Sequence, residues 1–142
     1  MRLSEAVGRS VVGTANAATV GRIDEFVIDP ASRTIVALHL KKTESGDTLP
    51  WGDIAAFGPD AVTLHDPAAI VAASSEVEAL SGKSHRLLGK RVLLTTGDEA
   101  GVVDDVEFDP ESGLITTLVL SGGEVAGERL LGIGSYAVVI SA

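Results

Sequence analysis

Gly21–Leu40 reads GRIDEFVIDPASRTIVALHL, and Gly101–Leu120 reads GVVDDVEFDPESGLITTLVL. The two stretches align without a gap. Eight of the twenty pairs are identical, among them Gly21/Gly101, Asp24/Asp104, Asp29/Asp109, Pro30/Pro110 and Ile35/Ile115. The match extends outward in order. Upstream, Gly8-Arg9-Ser10-Val11-Val12 answers Gly89-Lys90-Arg91-Val92-Leu93 after one residue is dropped. Downstream, Gly58–Leu64 answers Gly134–Ile140, with the second copy four residues shorter. Ordered matches with gaps only between apolar runs mark an internal duplication.

Each copy reads as short strands divided by turn chemistry. In the first copy they are expected near Ser10–Gly13, Val20–Asp29, Thr34–Lys41, Thr48–Pro50, Ala55–Phe57 and Ala61–Leu64. Asp29-Pro30-Ala31-Ser32 supplies a hairpin turn: proline presets φ, and the aspartate side chain bonds forward to the backbone. Within the second strand the apolar positions step from Ile23 to Phe26 and then to Ile28; in the second copy, from Val103 to Val106 and Phe108. A step of three and then of two breaks strict alternation at Asp24 and Asp104, so a β-bulge is expected at both. Short bent strands with glycine corners at Gly21 and Gly101 favour a small barrel over a flat sandwich.

The expected fold is therefore all-β: two tandem barrels, residues 1–66 and 85–142, joined by a linker at 67–84. Asp66-Pro67 is a helix-start signal, and Ala68–Leu80 is alanine-rich, so the linker is expected to be a short helix, with a flexible connection as the alternative. A unit of this size buries only roughly 60% of its unfolded surface and is marginal alone. Three arrangements follow as alternatives: the copies engage two sites separately, pack on each other as one pseudo-symmetric body, or pair between chains in a homodimer.

Composition narrows the function. Hydrophobic residues make up 45% of the chain and aromatics 4%, so aliphatic side chains must build the core. There is no cysteine, which removes disulfides, thiolate metal sites and cysteine nucleophiles. The formal net charge of −9 disfavours direct nucleic-acid binding, which relies on Lys and Arg neutralising phosphates, and favours a basic protein partner. Met1–Arg9 carries charges and no apolar signal core, and no apolar run is long enough for a transmembrane helix. A soluble cytoplasmic protein is expected.

No catalytic, metal or cofactor site is expected. His39, His65 and His85 have no metal-ligand spacing, and none recurs in the other copy. The acidic residues around Asp24 and Asp104 follow a strand and its turn, not a calcium loop. Gly122-Gly123 and Gly132-Ile133-Gly134 lack the lysine or helix of a phosphate cradle and read as turns. Leu49-Pro50-Trp51 holds the only tryptophan, a residue type favoured in binding hot spots. It is expected to plug a barrel end or to form a contact surface. Val27, His39 and Val119 are the further candidate protein contacts, with Ile115 another outward-facing position that pairing of copies or chains would bury.

The arrangement Gly21-Arg22-Ile23-Asp24, Asp29-Pro30-Ala31-Ser32 and Leu49-Pro50-Trp51, repeated as Gly101-Val102-Val103-Asp104 and Asp109-Pro110-Glu111-Ser112-Gly113, resembles the PRC-barrel family. That family is named for the photosynthetic reaction-centre H subunit and includes the C-terminal domains of RimM-type ribosome maturation factors. The second copy departs from the pattern at Glu128-Arg129-Leu130-Leu131. The resemblance implies a small β-barrel fold and a non-catalytic protein-binding adaptor or assembly module. Two alternatives stand beside it: a ribosome-maturation or RNA-processing accessory working through a basic protein, and a sensor of a small molecule or ion using the groove between the copies.

Overall fold

The computed structural model describes residues 1–82 and 85–142. Among these described residues, twelve strands form two six-stranded sheets. The first holds β1 (Ser10–Gly13), β2 (Thr19–Asp29), β3 (Thr34–Lys41), β4 (Thr48–Pro50), β5 (Ala56–Phe57) and β6 (Ala61–Leu64), in the order β4-β3-β2-β1-β6-β5. The second holds β7 (Arg91–Leu94), β8 (Glu99–Phe108), β9 (Ile115–Leu120), β10 (Gly123–Ala126), β11 (Leu130–Ile133) and β12 (Val138–Ile140), in the corresponding order β10-β9-β8-β7-β12-β11. All pairings are antiparallel except β1 with β6 and β7 with β12.

Connectivity forces both sheets to curl. Six flat strands would set the edges about 24 Å apart, five spacings of about 4.8 Å. The edges β4 and β5 are consecutive in the chain, and the link through the 3₁₀ turn Trp51–Asp53 reaches at most about 20 Å. For β10 and β11 the link is Gly127–Arg129, with a reach of about 14 Å. Each sheet must roll up into a barrel-like unit.

The duplication holds at the level of single hydrogen bonds. The register slips at Asp24 between β2 and β3 and at Asp104 between β8 and β9, where the apolar step placed the bulges. The Gly8 N–H donates to the Ile23 carbonyl, as the Gly89 N–H does to Val103. The Arg9 guanidinium holds the Gly58 carbonyl at 2.8 Å, and the Lys90 ammonium holds the equivalent Gly134 carbonyl at 2.7 Å. Desolvation, then the neighbouring Arg86 charge, lowers the Lys90 pKa from its ordinary value.

The two units close on each other about a pseudo-twofold axis. Thr34 and Leu114, equivalent in the repeat, face each other in an antiparallel bridge. The Ile35 N–H donates to the Gly113 carbonyl at 2.8 Å, and the Ile115 N–H donates to Arg33 at 2.9 Å. Residue i meets j while the counterpart of j meets the counterpart of i, which is the signature of an isologous contact. Arg33 and Gly113 both have positive φ there, 57° and 77°. Glycine accepts this freely, whereas arginine is strained by about 1–2 kcal/mol. The Arg33 side chain offsets part of that by donating from Nε to the Leu130 carbonyl at 2.7 Å.

Two further contacts lock the seam. Helix α1 (Leu3–Ala6) and the residues before it lie on β8. The Phe108 N–H donates to Met1 at 2.8 Å, Arg2 pairs with Glu107 at 3.2 Å, and Ser4 donates N–H and Oγ–H to the buried Asp105 carboxylate. Reciprocally, Arg86, just before the second barrel, pairs with Glu25, the counterpart of Asp105. Phe26, Phe57 and Trp51 of the first unit then gather around Phe108 of the second, with ring centroids 5.4–6.4 Å apart. Every aromatic residue except Tyr136 sits in this cluster, so a chain poor in aromatics concentrates them where the copies meet. Buried residues of both copies form one core.

The linker departs from a single helix. Asp66 caps as expected, its side chain accepting from the Ala68 N–H at 2.9 Å, but only the turn Pro67–Ala69 follows. The adjacent β-branched Ile70 and Val71 favour extended backbone. Ile70 is buried, and Val71 pairs with Thr48 on the outer edge of β4. Helix α2 then covers only Ser75–Ala79, capped by Ser74. Among the described residues no helix is long and apolar enough to cross a membrane.

Candidate functional site

The candidate contact residues fall into four settings. Leu49 is fully buried in β4 and Val27 is 3% exposed in β2, so both belong to the interior. Pro50 and Trp51 are half-buried at the seam. Trp51 stacks on Phe57 at 5.6 Å and lies against Gly113, where a Cβ would stand 3.0 Å from the indole. The tryptophan thus seals one barrel against the other and keeps only part of its ring in solvent. Val119 is half-buried on β9, opposite Glu124 of β10.

His39 is half exposed, with Nδ1 3.1 Å from Asp24 and Nε2 3.2 Å from Asp47. The bulge turns Asp24 toward it, and the loop before β4 brings Asp47 from the other side. The imidazole thereby clamps β2 to the β3–β4 connection, and a neutral ring can donate to only one of the two carboxylates. Asp24, Glu25, Phe26, His39 and Leu87 help line a cavity of about 630 Å³ between the first barrel and residues 80–82 and 85–88. Among the described residues no group of three or more His, Cys, Asp or Glu side chains is placed to hold a metal ion.

The fourth setting lies along the outer edge of β10 in the second barrel. It becomes visible when the copies are compared edge by edge. In the first barrel the outer edge of β4 is covered: the Thr48 N–H donates to the Val71 carbonyl, and the Val71 N–H donates to Thr48, both at 2.9 Å. The Asp47 N–H adds a third bond to the Val71 carbonyl at 3.1 Å. In the second barrel β10 takes the place of β4. Its register on β9 matches Glu124 to Val119 as Thr48 is matched to His39, so the Glu124 N–H and C=O face outward. No described residue pairs with that edge. Beside it, Leu94, Ala100, Leu120, Val125 and Ile140 line an open groove of about 250 Å³, with Arg129 at its rim. Sequence reasoning passed over Glu124 and Val125 because Gly122-Gly123 reads as a turn.

Residues 82–141 match the family model of the PRC-barrel domain. This places the second half of the chain in the PRC-barrel family. The first half repeats its strand order, bulge and turn, so the molecule is two tandem barrel-like units of one design. No curated protein matches the chain.

Proposed function

We propose that this protein is a non-catalytic protein-binding module, an adaptor or assembly unit whose two barrels act as one body. The observation that carries the reading is the outer edge of β10, which no described residue pairs with and whose counterpart in the first barrel is occupied by backbone. An open edge beside an apolar groove is suited to strand addition, in which main-chain hydrogen bonds give affinity and side-chain pockets give selectivity. The net charge of −9 favours partners with basic flanks and speeds their encounter. The barrels hold the edge rigid, because the seam commits both copies to a single core.

The test is site-specific photocrosslinking from position 124, in cells, compared with a probe at Asp60 on the other barrel. Adducts to a protein partner at 124, lost when neighbouring Val125 is replaced by proline, support the reading. Equal labelling at the two positions contradicts it.

A further inference from the structure

Resting on the protein-binding reading, we infer that the groove beside β10 receives an extended segment of another protein with the pattern small–branched aliphatic–β-branched. The segment pairs antiparallel with Glu124. The first barrel supplies the template. There Ala69 packs against the core, Ile70 is 9% exposed, and Val71 completes the sheet edge at Thr48. Three residues of the chain thus perform in the first barrel what a partner performs in the second.

A second, independent feature indicates that the place is kept for backbone. Gly46 lies directly against Val71: a Cβ there would stand 2.7 Å from the Val71 carbonyl carbon. Matching β4 to β10 through Leu40/Asp47 and Leu120/Gly123 sets Gly122 in the position of Gly46. A Cβ on Gly122 or Gly123 would meet nothing within 4 Å. The approach route is therefore as bare of side chains as in the first barrel, and nothing described stands in it.

The match has a limit that shapes the ligand. Pro67 lies 3.8 Å from where a Cβ on Gly13 would be, and the second copy has Leu94 in the place of Gly13. The Leu94 side chain takes the room of that proline. Only the part equivalent to Ala69–Val71 can be accommodated, so the segment need not enter along the line of β12. The groove volume suits one or two aliphatic side chains and is small for a drug-sized ligand. The exposed Glu124 carboxylate favours a Lys or Arg beside the apolar triplet.

The experiment titrates the full-length, isotope-labelled protein with the capped peptide Lys-Ala-Ala-Ile-Val-Ala-Ala-Lys, up to about 1 mM, the range of weak strand addition. Saturable shifts confined to Gly122–Ala126, Leu94, Ala100 and Ile140 are expected. The Glu124 amide should exchange about fivefold more slowly in the complex, the factor that roughly 1 kcal/mol of net hydrogen bonding supplies. The same peptide with aspartate for isoleucine should leave the spectrum unchanged, as should the parent peptide on Glu124→Pro, which removes the outward N–H. Absence of shifts, shifts elsewhere, or equal binding of the aspartate peptide would overturn the inference. So would sedimentation as a dimer with Glu124 already protected, which would make a second copy of this chain the occupant. If the peptide fails while crosslinks from position 124 persist, the segment pattern is wrong and the protein-binding reading survives.

Discussion

Replacing Phe108 by alanine removes the one ring that the second barrel contributes to the aromatic cluster at the seam. Phe108 is 2% exposed and meets Phe26, Phe57 and Trp51 at 5.6, 5.4 and 6.4 Å. Truncating a buried phenylalanine costs about 3–5 kcal/mol, combining lost transfer energy with the cavity left behind. With a urea dependence of about 2 kcal/mol/M, a loss of about 4 kcal/mol lowers the midpoint by about 2 M. Trp51 is the only tryptophan and belongs to the first barrel, so its fluorescence follows the copy that was not mutated. If the copies share one core, the midpoint seen by Trp51 falls together with that seen by far-ultraviolet circular dichroism, and both transitions stay single. Phe108→Leu should give a smaller, parallel shift. A Trp51 midpoint that stays at the wild-type value while the dichroism splits into two steps would refute the shared core.

Other substitutions probe the parts separately. Arg33→Ala keeps the positive φ and loses the bond to Leu130, whereas Arg33→Gly loses the bond but relieves the strain. The glycine variant should be the more stable of the two by about 1 kcal/mol in urea melts. Gly127→Ala sets a Cβ onto the Ile115 carbonyl beside the pseudo-twofold axis. It should lower stability by about 2–3 kcal/mol, read by thermal denaturation. Asp105→Ala strands the Ser4 and Val106 donors, for a loss of about 1–3 kcal/mol and faster proteolysis within residues 1–6. Thr48→Pro deletes an N–H bonded to Val71 and should destabilise by about 1–3 kcal/mol, while Glu124→Pro, at the matching open edge, should stay within about 0.5 kcal/mol.

The strands were legible because period-two patterning and turn residues act locally. Ser10–Gly13, Thr34–Lys41, Thr48–Pro50 and Ala61–Leu64 fall where the residues placed them, and the bulges fall at Asp24 and Asp104. What escaped is what tertiary contact decides. Helix α1 is four residues long and shows no helical period; it exists because Asp105 and Phe108 receive it. The linker has helical composition, yet the open edge at Thr48 draws Val71 into an extended bridge, a case of tertiary context overriding propensity. Trp51 reads in the sequence as a barrel-end plug or a contact surface, and no pattern in one copy discloses that the other copy lies against it. The β10 edge was hidden for the same reason: an unpaired strand differs from a paired one only in its neighbours.

Amide hydrogen exchange, resolved residue by residue in the full-length protein, addresses both halves of the account in one measurement. A body closed about its pseudo-twofold axis and open at one edge predicts strong, similar protection at Ile35, Ile115 and Thr48, together with near-unprotected exchange at Glu124. Fast exchange at Ile35 and Ile115 would contradict the closed seam, and a Glu124 amide as protected as Thr48 in the free monomer would contradict the open edge.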